Sequence, residues 1–556
     1  AVELTIAIHR AFDSPKDRIV FDVGHQAYAH KILTGRREAF AGLRQQGGVS
    51  GFPKREESEH DMFNTGHATT SISAALGMAR AMRLRGEDGT AVALIGDGAL
   101  TGGMAFEALN DAGQADVPLV VVINDNEMSI SPNVGALHRA LIDMRVSRGY
   151  VRFKRLLVRA LDTGAIGRWL SRHMENFKNR VKSFLLPHLL FEDMGFLYLG
   201  PIDGHDIHKL TRIFRRAKEL RVPVVVHCVT QKGRGYAYSE RNPEKFHGVA
   251  PFSVDTGVIE SLVKKSNSEV FGDAMVSLAE QDERIVAVSA AMPIGTGLQK
   301  FAERFPDRFF DVGIAEEHAL TMAAGMAAGG MRPVVAIYST FLQRGYDQVL
   351  HDICLQNLPV VLAVDRAGLV GEDGETHQGV YDAAFLSTMP GMTIYSPATQ
   401  QELVHMLSLA IEREEPAAVR YNRGCLMQAV SPLPVEKGRW EILEPIAERT
   451  VVATGDMVAL ALPVARRCGA GLVNARTIHP LDGDMLEEIR RTAKRVVVLE
   501  DGVDCLGLRV AAALSQVTVV RMCVPDRPIP HASVAQQRVL CGLTAEALER
   551  NLGDGA

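Results

Sequence analysis

Two oxygen-bearing side chains stand 29 positions apart in matching surroundings: Asp97 within Gly96-Asp97-Gly98, and Asn126 closing Asn124-Asp125-Asn126. A carboxylate, an amide oxygen and a backbone carbonyl form the hard-oxygen set that Mg²⁺ prefers, and the ion completes its shell with phosphates and water. Glycine at 96 and 98 lets a phosphate approach the backbone with no Cβ in the way. Each triplet must be delivered by the element before it. Ala91–Ile95 and Leu119–Ile123 read as short strands, and Leu100 to Ala112 between them suits a helix. A strand–helix–strand unit this short crosses over right-handed between parallel strands. Both triplets then reach the carboxyl edge of one sheet, where open α/β sheets take their ligands. Gly-Asp-Gly after a strand is also ordinary turn chemistry; the Asn-x-Asn after the next strand favours a metal-held diphosphate.

A further carboxyl has a chemical reading of its own. Glu316 lies in Asp311-Val312-Gly313-Ile314-Ala315-Glu316-Glu317-His318, after a strand and before a helix over Ala319–Ala328. In an apolar site such a carboxyl keeps its proton to higher pH and donates a hydrogen bond. Acids in a helix's first turn also complement the helix dipole, so the position alone supports either role.

The chain has 556 residues, too many for one core, and three or four domains are expected. Apolar content of 47% and charged content of 23% suit a soluble globular protein, and a net charge of 61 − 66 = −5 gives no general attraction to nucleic acid. No apolar run reaches the roughly 18–20 residues that cross a bilayer, and the opening residues do not read as a secretory signal. Seven cysteines are scattered without a CxxC pair, which argues against zinc or a disulfide framework. A cytoplasmic protein with reduced thiols, bound neither to nucleic acid nor to a membrane, is the expectation.

Up to about Pro251, β-rich runs at Arg18–Phe21, Ala91–Ile95, Leu119–Ile123 and Val222–Thr230 alternate with helical stretches, the pattern of a doubly wound α/β domain. Inside it, Arg139 to Lys182 carries 12 Lys/Arg against three acids. A basic arm for an anionic partner and a solvated, helical, mobile lid over about 139–190 both fit; sparse aromatics and the acidic balance elsewhere favour the lid. A linker near Thr256–Ser268 leads to a second α/β segment with strands at Ile285–Val288, Phe309–Val312, Pro333–Tyr338, Pro359–Val364 and Ala418–Tyr421. After Pro432–Lys437 a third follows, with strands at Thr450–Ala453, Gly471–Val473, Arg495–Leu499 and Val517–Val520. The expected domains are residues 1–255, 268–430 and 438–556.

The Gly-Asp-Gly and Asn-x-Asn pair resembles the thiamine-diphosphate fingerprint. Further strings closely resemble the 1-deoxy-D-xylulose-5-phosphate synthase family: Ile314-Ala315-Glu316-x-His318, Tyr338-Ser339-Thr340-Phe341-Leu342-Gln343-Arg344, Asp365-Arg366-Ala367-Gly368 and Gly371-x-Asp373-Gly374-x-Thr376-His377-Gln378-Gly379. So do Asp22-Val23-Gly24-His25-Gln26-Ala27-Tyr28, Gly66-His67, Gly200-Pro201-Ile202-Asp203-Gly204-His205-Asp206, Lys232-Gly233-Arg234-Gly235-Tyr236 and Phe246-His247. The likeness runs along nearly the whole chain. It implies an α/β fold of three doubly wound domains, two of the thiamine-diphosphate-binding type and one of the transketolase C-terminal type.

The resemblance also implies roles. Asp97, Asn126 and the Met128 carbonyl hold Mg²⁺; His25, Gly66, His67, Ala68, Gly98, Ala99 and Tyr236 line the diphosphate and thiazolium; Glu316 meets the pyrimidine nitrogen and Phe341 stacks on its ring. Tyr338, Arg344, Arg366 and Arg423 face the phosphorylated acceptor, with forked guanidinium donors suited to a phosphate dianion. Arg44, Asp373 and His377 form a gating cluster, and His247 lies near the pyruvate-derived carbon. The implied reaction condenses pyruvate with D-glyceraldehyde 3-phosphate in a homodimer, the third domain serving assembly. Against the family pattern, a helix and a Gly-His loop are expected upstream of Ala1, Asn422 stands at a customary Pro, and Glu317 stands at a customary Gln.

Overall fold

The computed structural model describes residues 1–126, 189–248, 252–258, 264–427 and 434–553. Met128 and the basic segment as far as residue 188 lie outside these. Contacts divide the chain into two compact units, Ala1–Glu38 with Phe52–Ile259, and Ala39–Gly51 with Glu260–Ala556. Among the described residues no helix is long and apolar enough to cross a membrane.

The first unit is built on five strands, β1 (Arg18–Phe21), β2 (Ala91–Gly96), β3 (Leu119–Asp125), β4 (Leu197–Asp203) and β5 (Val224–Val229), in the order β1-β2-β3-β5-β4. All four pairings are parallel. Val92, Leu94, Val120, Val122, Val224 and Val226 are fully buried, because helices cover both faces of such a sheet and leave no polar side to alternate. The expected helix from Leu100 begins later: Ala99–Thr101 is a 3₁₀ turn, Gly102 is extended, and the α-helix runs Gly103–Ala112. β4 was not expected. It is an edge strand interrupted by Gly200-Pro201, with a register shift between Leu199 and Ile202, so it lacks the continuous apolar run that marks its neighbours.

The second unit holds two sheets. The larger contains β6 (Ile285–Ser289), β7 (Phe309–Asp311), β8 (Arg332–Tyr338), β9 (Val361–Ala367), β10 (Thr393–Tyr395) and β11 (Ala417–Asn422). The smaller contains β12 (Glu441–Glu444), β13 (Arg449–Ala453), β14 (Gly471–Asn474), β16 (Arg495–Val503) and β17 (Thr518–Val524). A short strand between these in sequence, β15 (Thr477–His479), leaves the smaller sheet and adds antiparallel to β10 at the edge of the larger one. The two sheets share one apolar core, in which Ala319, Leu362 and Ile394 belong to the same cluster as Val452, Val473 and Val498. The expected strands recur, their starts within two residues and their ends within four. The three missed here, β10, β12 and β15, are three- or four-residue pieces at or near sheet edges, too short to carry a periodic signal.

A buried charge chain ties the larger sheet to the smaller. Arg420 on β11 is 2% exposed; its Nε donates to Asp382 Oδ2 at 3.0 Å and its Nη1 to Asp501 Oδ1 at 2.9 Å. Asp382 is fully buried and Asp501 only 6% exposed, so removing the cation strands both carboxylates. Arg420→Leu is expected to cost about 3–5 kcal/mol of unfolding free energy, read as a lower urea midpoint; an unshifted midpoint would mean the pair is held by something other than Arg420.

Candidate active site

In the first unit the loops at the carboxyl edge are pinned by one buried acid. Asp22, directly after β1, accepts the N–H of Thr69 at 2.9 Å and of Ser71 at 3.0 Å, fastening the Gly66–Thr70 turn beside Val23-Gly24-His25. Gly24 has φ +96° there, and a Cβ would come within 2.4 Å of Pro53 Cδ and Thr65 Oγ1. His25 and His67 thus sit on loops joined through Asp22, a positioning residue that sequence reading quoted but gave no role. The Asp-Val-Gly-His string directly after a strand was its signal.

Parallel register puts Gly96 opposite Asn124, so Asp97 and Asn126 lie at the ends of adjacent strands, as expected. Asp97 is 2% exposed, and a Cβ on Gly96 would meet no atom within 4 Å, leaving open space beside it. Asp125, between the two asparagines, points elsewhere: it takes a hydrogen bond from buried His227 at 2.8 Å. Lys232 faces the Asp97 charge. Burial pushes its ammonium down to about 8, while Asp97 and Glu244 act to keep it charged. The ring of His247 lies 5.2 Å from that of His25, and burial, with the His25 and Lys232 charges, holds it down at about 3. It is a neutral imidazole at any physiological pH. Tyr236 belongs to an aromatic group with Tyr238, Phe246 and Phe252.

In the second unit Glu316 is the first residue of the helix Glu316–Ala328, three residues ahead of the expected start, and is 3% exposed. Burial raises its carboxyl above the ordinary range; Arg344 opposes this and the neighbouring Glu317 adds to it. Arg344 donates Nη1–H to Glu316 Oε2 at 3.3 Å, a partner that sequence reading did not assign to it. The contact follows from packing: a Cβ on the next residue, Gly345, would sit 2.1 Å from Leu320 Cδ1, so the turn carrying Arg344 lies against the start of the Glu316 helix.

The remaining expected residues gather around Tyr338 at the end of β8. Phe341 stacks on it with ring centroids 5.8 Å apart, Arg366 Cζ lies 3.9 Å from its ring centre, and His377 meets Phe341 edge-on at 5.7 Å. Asp373 is paired with Arg44 at 2.6 Å and lies 3.6 Å from Arg423. Burial would raise the Asp373 carboxyl, yet the His377, Arg44, Arg423 and Arg366 charges hold it below its usual value. Arg44 arrives on residues 39–51, which cluster with this unit and not with the one flanking them in sequence. Among the described residues no three His, Cys, Asp or Glu side chains come together as a metal-binding group.

Comparison with known proteins agrees along the chain. A family model described as 1-deoxy-D-xylulose-5-phosphate synthase matches residues 1–230, the transketolase pyrimidine binding domain matches 263–428, and the transketolase C-terminal domain matches 438–548. A 1-deoxy-D-xylulose-5-phosphate synthase of Clostridium tetani is 49% identical over 562 residues, covering 98% of this chain and 91% of its own length. One from Desulforudis audaxviator is 51% identical over 569 residues, covering 99% and 89%. Among solved structures, a transketolase from Leishmania mexicana aligns with 99% of this chain and 95% of its own at 16% identity and a TM-score of 0.47. The two synthases, 49% and 51% identical and matched over 91% and 89% of their own length, assign the chain to the 1-deoxy-D-xylulose-5-phosphate synthase family.

Proposed function

We propose that this chain, a transketolase-type transferase, condenses pyruvate with D-glyceraldehyde 3-phosphate, releases CO₂ and forms 1-deoxy-D-xylulose 5-phosphate, a precursor for isoprenoids, thiamine and pyridoxal. It works as a cytoplasmic homodimer with thiamine diphosphate and Mg²⁺. Residues 1–255 take the diphosphate and metal, 268–430 the pyrimidine, and 438–556 form the C-terminal domain.

The residues present fit this cofactor. Thiamine diphosphate supplies a nucleophilic carbon and an electron sink for the carbon that loses CO₂. Asp97 and Asn126 would hold the metal at adjacent strand ends, with open space at Gly96 for the phosphates. Gly66, His67, Ala68, Gly98, Ala99 and Tyr236 would border the diphosphate side. Glu316 would donate its retained proton to the pyrimidine nitrogen, and Phe341 would offer its ring face. His25 and neutral His247 would take or give a proton at a ring nitrogen beside the reacting carbonyl. Arg366 and Arg423, grouped with Tyr338, would hold the acceptor's phosphate and so orient its aldehyde. Arg344 would assist the same end while restraining Glu316. The Arg44–Asp373 pair with His377 would gate the acceptor pocket.

The observation that carries this reading is Glu316: a buried carboxyl, raised above its ordinary range by desolvation, at the start of a helix in a unit that also gathers guanidinium groups. The test is ¹⁴CO₂ release from carboxyl-labelled pyruvate with and without D-glyceraldehyde 3-phosphate. Release should rise with the aldehyde, and unlabelled pentulose phosphate should accumulate one-for-one with the ¹⁴CO₂. A keto-sugar phosphate replacing pyruvate as donor would make the chain a transketolase instead.

A further inference from the structure

The loop from Gly371 to Gly379 carries Asp373 and His377, yet its backbone is held from the far end of the sequence. Gln537 is fully buried. Its Oε1 accepts the N–H of Gly371 at 3.0 Å, and its Nε2 donates to the Gly371 carbonyl at 2.9 Å and to the Pro530 carbonyl at 2.9 Å. One amide side chain thereby satisfies both backbone groups of Gly371, as a paired strand would. At the loop's other end Gln378, 3% exposed, donates to the Ile529 carbonyl at 3.3 Å and accepts the N–H of Val370 at 2.9 Å.

His531 lies between these anchors. It is 7% exposed, and its backbone approaches Gly374 so closely that a Cβ there would sit 3.0 Å from His531 Cβ. On its other side, His531 Nε2–H donates to the Gly48 carbonyl at 3.0 Å. Gly48 belongs to the turn that carries Arg44, whose own N–H donates to the Val49 carbonyl at 2.8 Å. His531 therefore touches both backbone segments whose side chains form the 2.6 Å Arg44–Asp373 pair.

We propose that His531 and Gln537 are positioning residues for the Arg44–Asp373 pair, so that the C-terminal segment sets the geometry at which the acceptor pocket is gated. On this proposal the segment adds a positioning role to the assembly expected of it. Gln537 fixes the loop's backbone on one side of Asp373, and His531 fixes the distance from that loop to the Arg44 turn. Both act through the Arg44–Asp373 pair. A one-ångström drift at either contact would lengthen the ion pair, and ion-pair and hydrogen-bond energies fall steeply over that distance.

The test has a structural arm and a kinetic arm. Hydrogen exchange on the ligand-free chain should quicken in peptides spanning 42–49 and 371–379 in His531→Leu, which loses the donor, and much less in His531→Gln, which keeps an N–H. The kinetic arm rests on the proposed synthase reaction. His531→Leu should lower kcat/KM for D-glyceraldehyde 3-phosphate about tenfold, the effect of one lost buried hydrogen bond, and His531→Gln far less. In an Asp373→Asn background the same His531→Leu change should add less than about twofold, because both act through one pair. Gln537→Glu, which loses its donor to two carbonyls, should repeat the pattern. Equal losses in both backgrounds, or unchanged exchange in the two peptides, would overturn the proposal. Quickened exchange in a chain whose wild type makes no pentulose phosphate would instead overturn the synthase reading and leave the positioning intact.

Discussion

Glu316→Gln keeps thiamine diphosphate binding near the wild-type level while kcat falls by about 10²–10⁴-fold, the range that a positioned general acid–base group contributes. The amide preserves volume and a hydrogen bond to a ring nitrogen but cannot pass a proton. Cofactor affinity by fluorescence titration and single-turnover product formation separate the two effects; an unchanged rate removes Glu316 from its role. The raised carboxyl sets the sign of a companion pH experiment. A folded-state value above the ordinary 4.5 means that the folded chain binds this proton more tightly than the unfolded chain. Its contribution to stability is complete at pH below 4.5 and is lost as pH rises through the folded value. Urea midpoints should therefore fall with rising pH more for wild type than for Glu316→Gln over that window.

Asp97→Asn should weaken Mg²⁺ binding in the presence of thiamine diphosphate by about a hundredfold, since a ligating carboxylate is worth at least what its supporting partners are. Magnesium titrations of cofactor binding read this directly, and a chelator should release cofactor from the wild-type chain until Mg²⁺ is restored. Cofactor retention that ignores both chelator and substitution would dismiss the metal site. A second readout comes from Lys232. Burial lowers its ammonium to about 8, and the Asp97 charge works against that fall. With the charge gone the value should drop further, so Lys232 should react faster with an amine-directed reagent at pH 7 in the variant.

Much of the first half-site is legible because its determinants are local. An apolar strand ending in Gly-Asp-Gly, a helix, and a second strand ending in Asn-x-Asn contain their own geometry: parallel register places Gly96 opposite Asn124 without help from elsewhere. The Glu316 helix and the β8–Tyr338 junction are legible for the same reason. Edge elements are not, since β4 carries a Gly-Pro step and β15 is only three residues long. The basic segment and Met128 fall outside the described residues; the lid reading rests on composition and the Met128 role on resemblance.

Pairings over long sequence separations are not legible from spacing. Arg44 and Asp373, 329 positions apart, are grouped only through the resemblance, and the reach of Gln537 to Gly371 across 166 escaped the reading. Arg420 between Asp382 and Asp501 looks, as a string, like any strand residue with a charged tip. Arg344 is assigned to the acceptor's phosphate by resemblance, and only the packing of Gly345 against Leu320 shows that it also meets Glu316.

Residue order by itself determined the α/β class, the strand ends that bear Asp97 and Asn126, and the chemistry available there, since periodicity, glycine and polar type act within about one strand–helix–strand unit. Tertiary structure alone decided which charges are buried, which carboxyl burial raises, and which distant segment holds the Gly371 loop. Desolvation and ion pairing depend on neighbours in space, and chain order does not encode those neighbours one residue at a time.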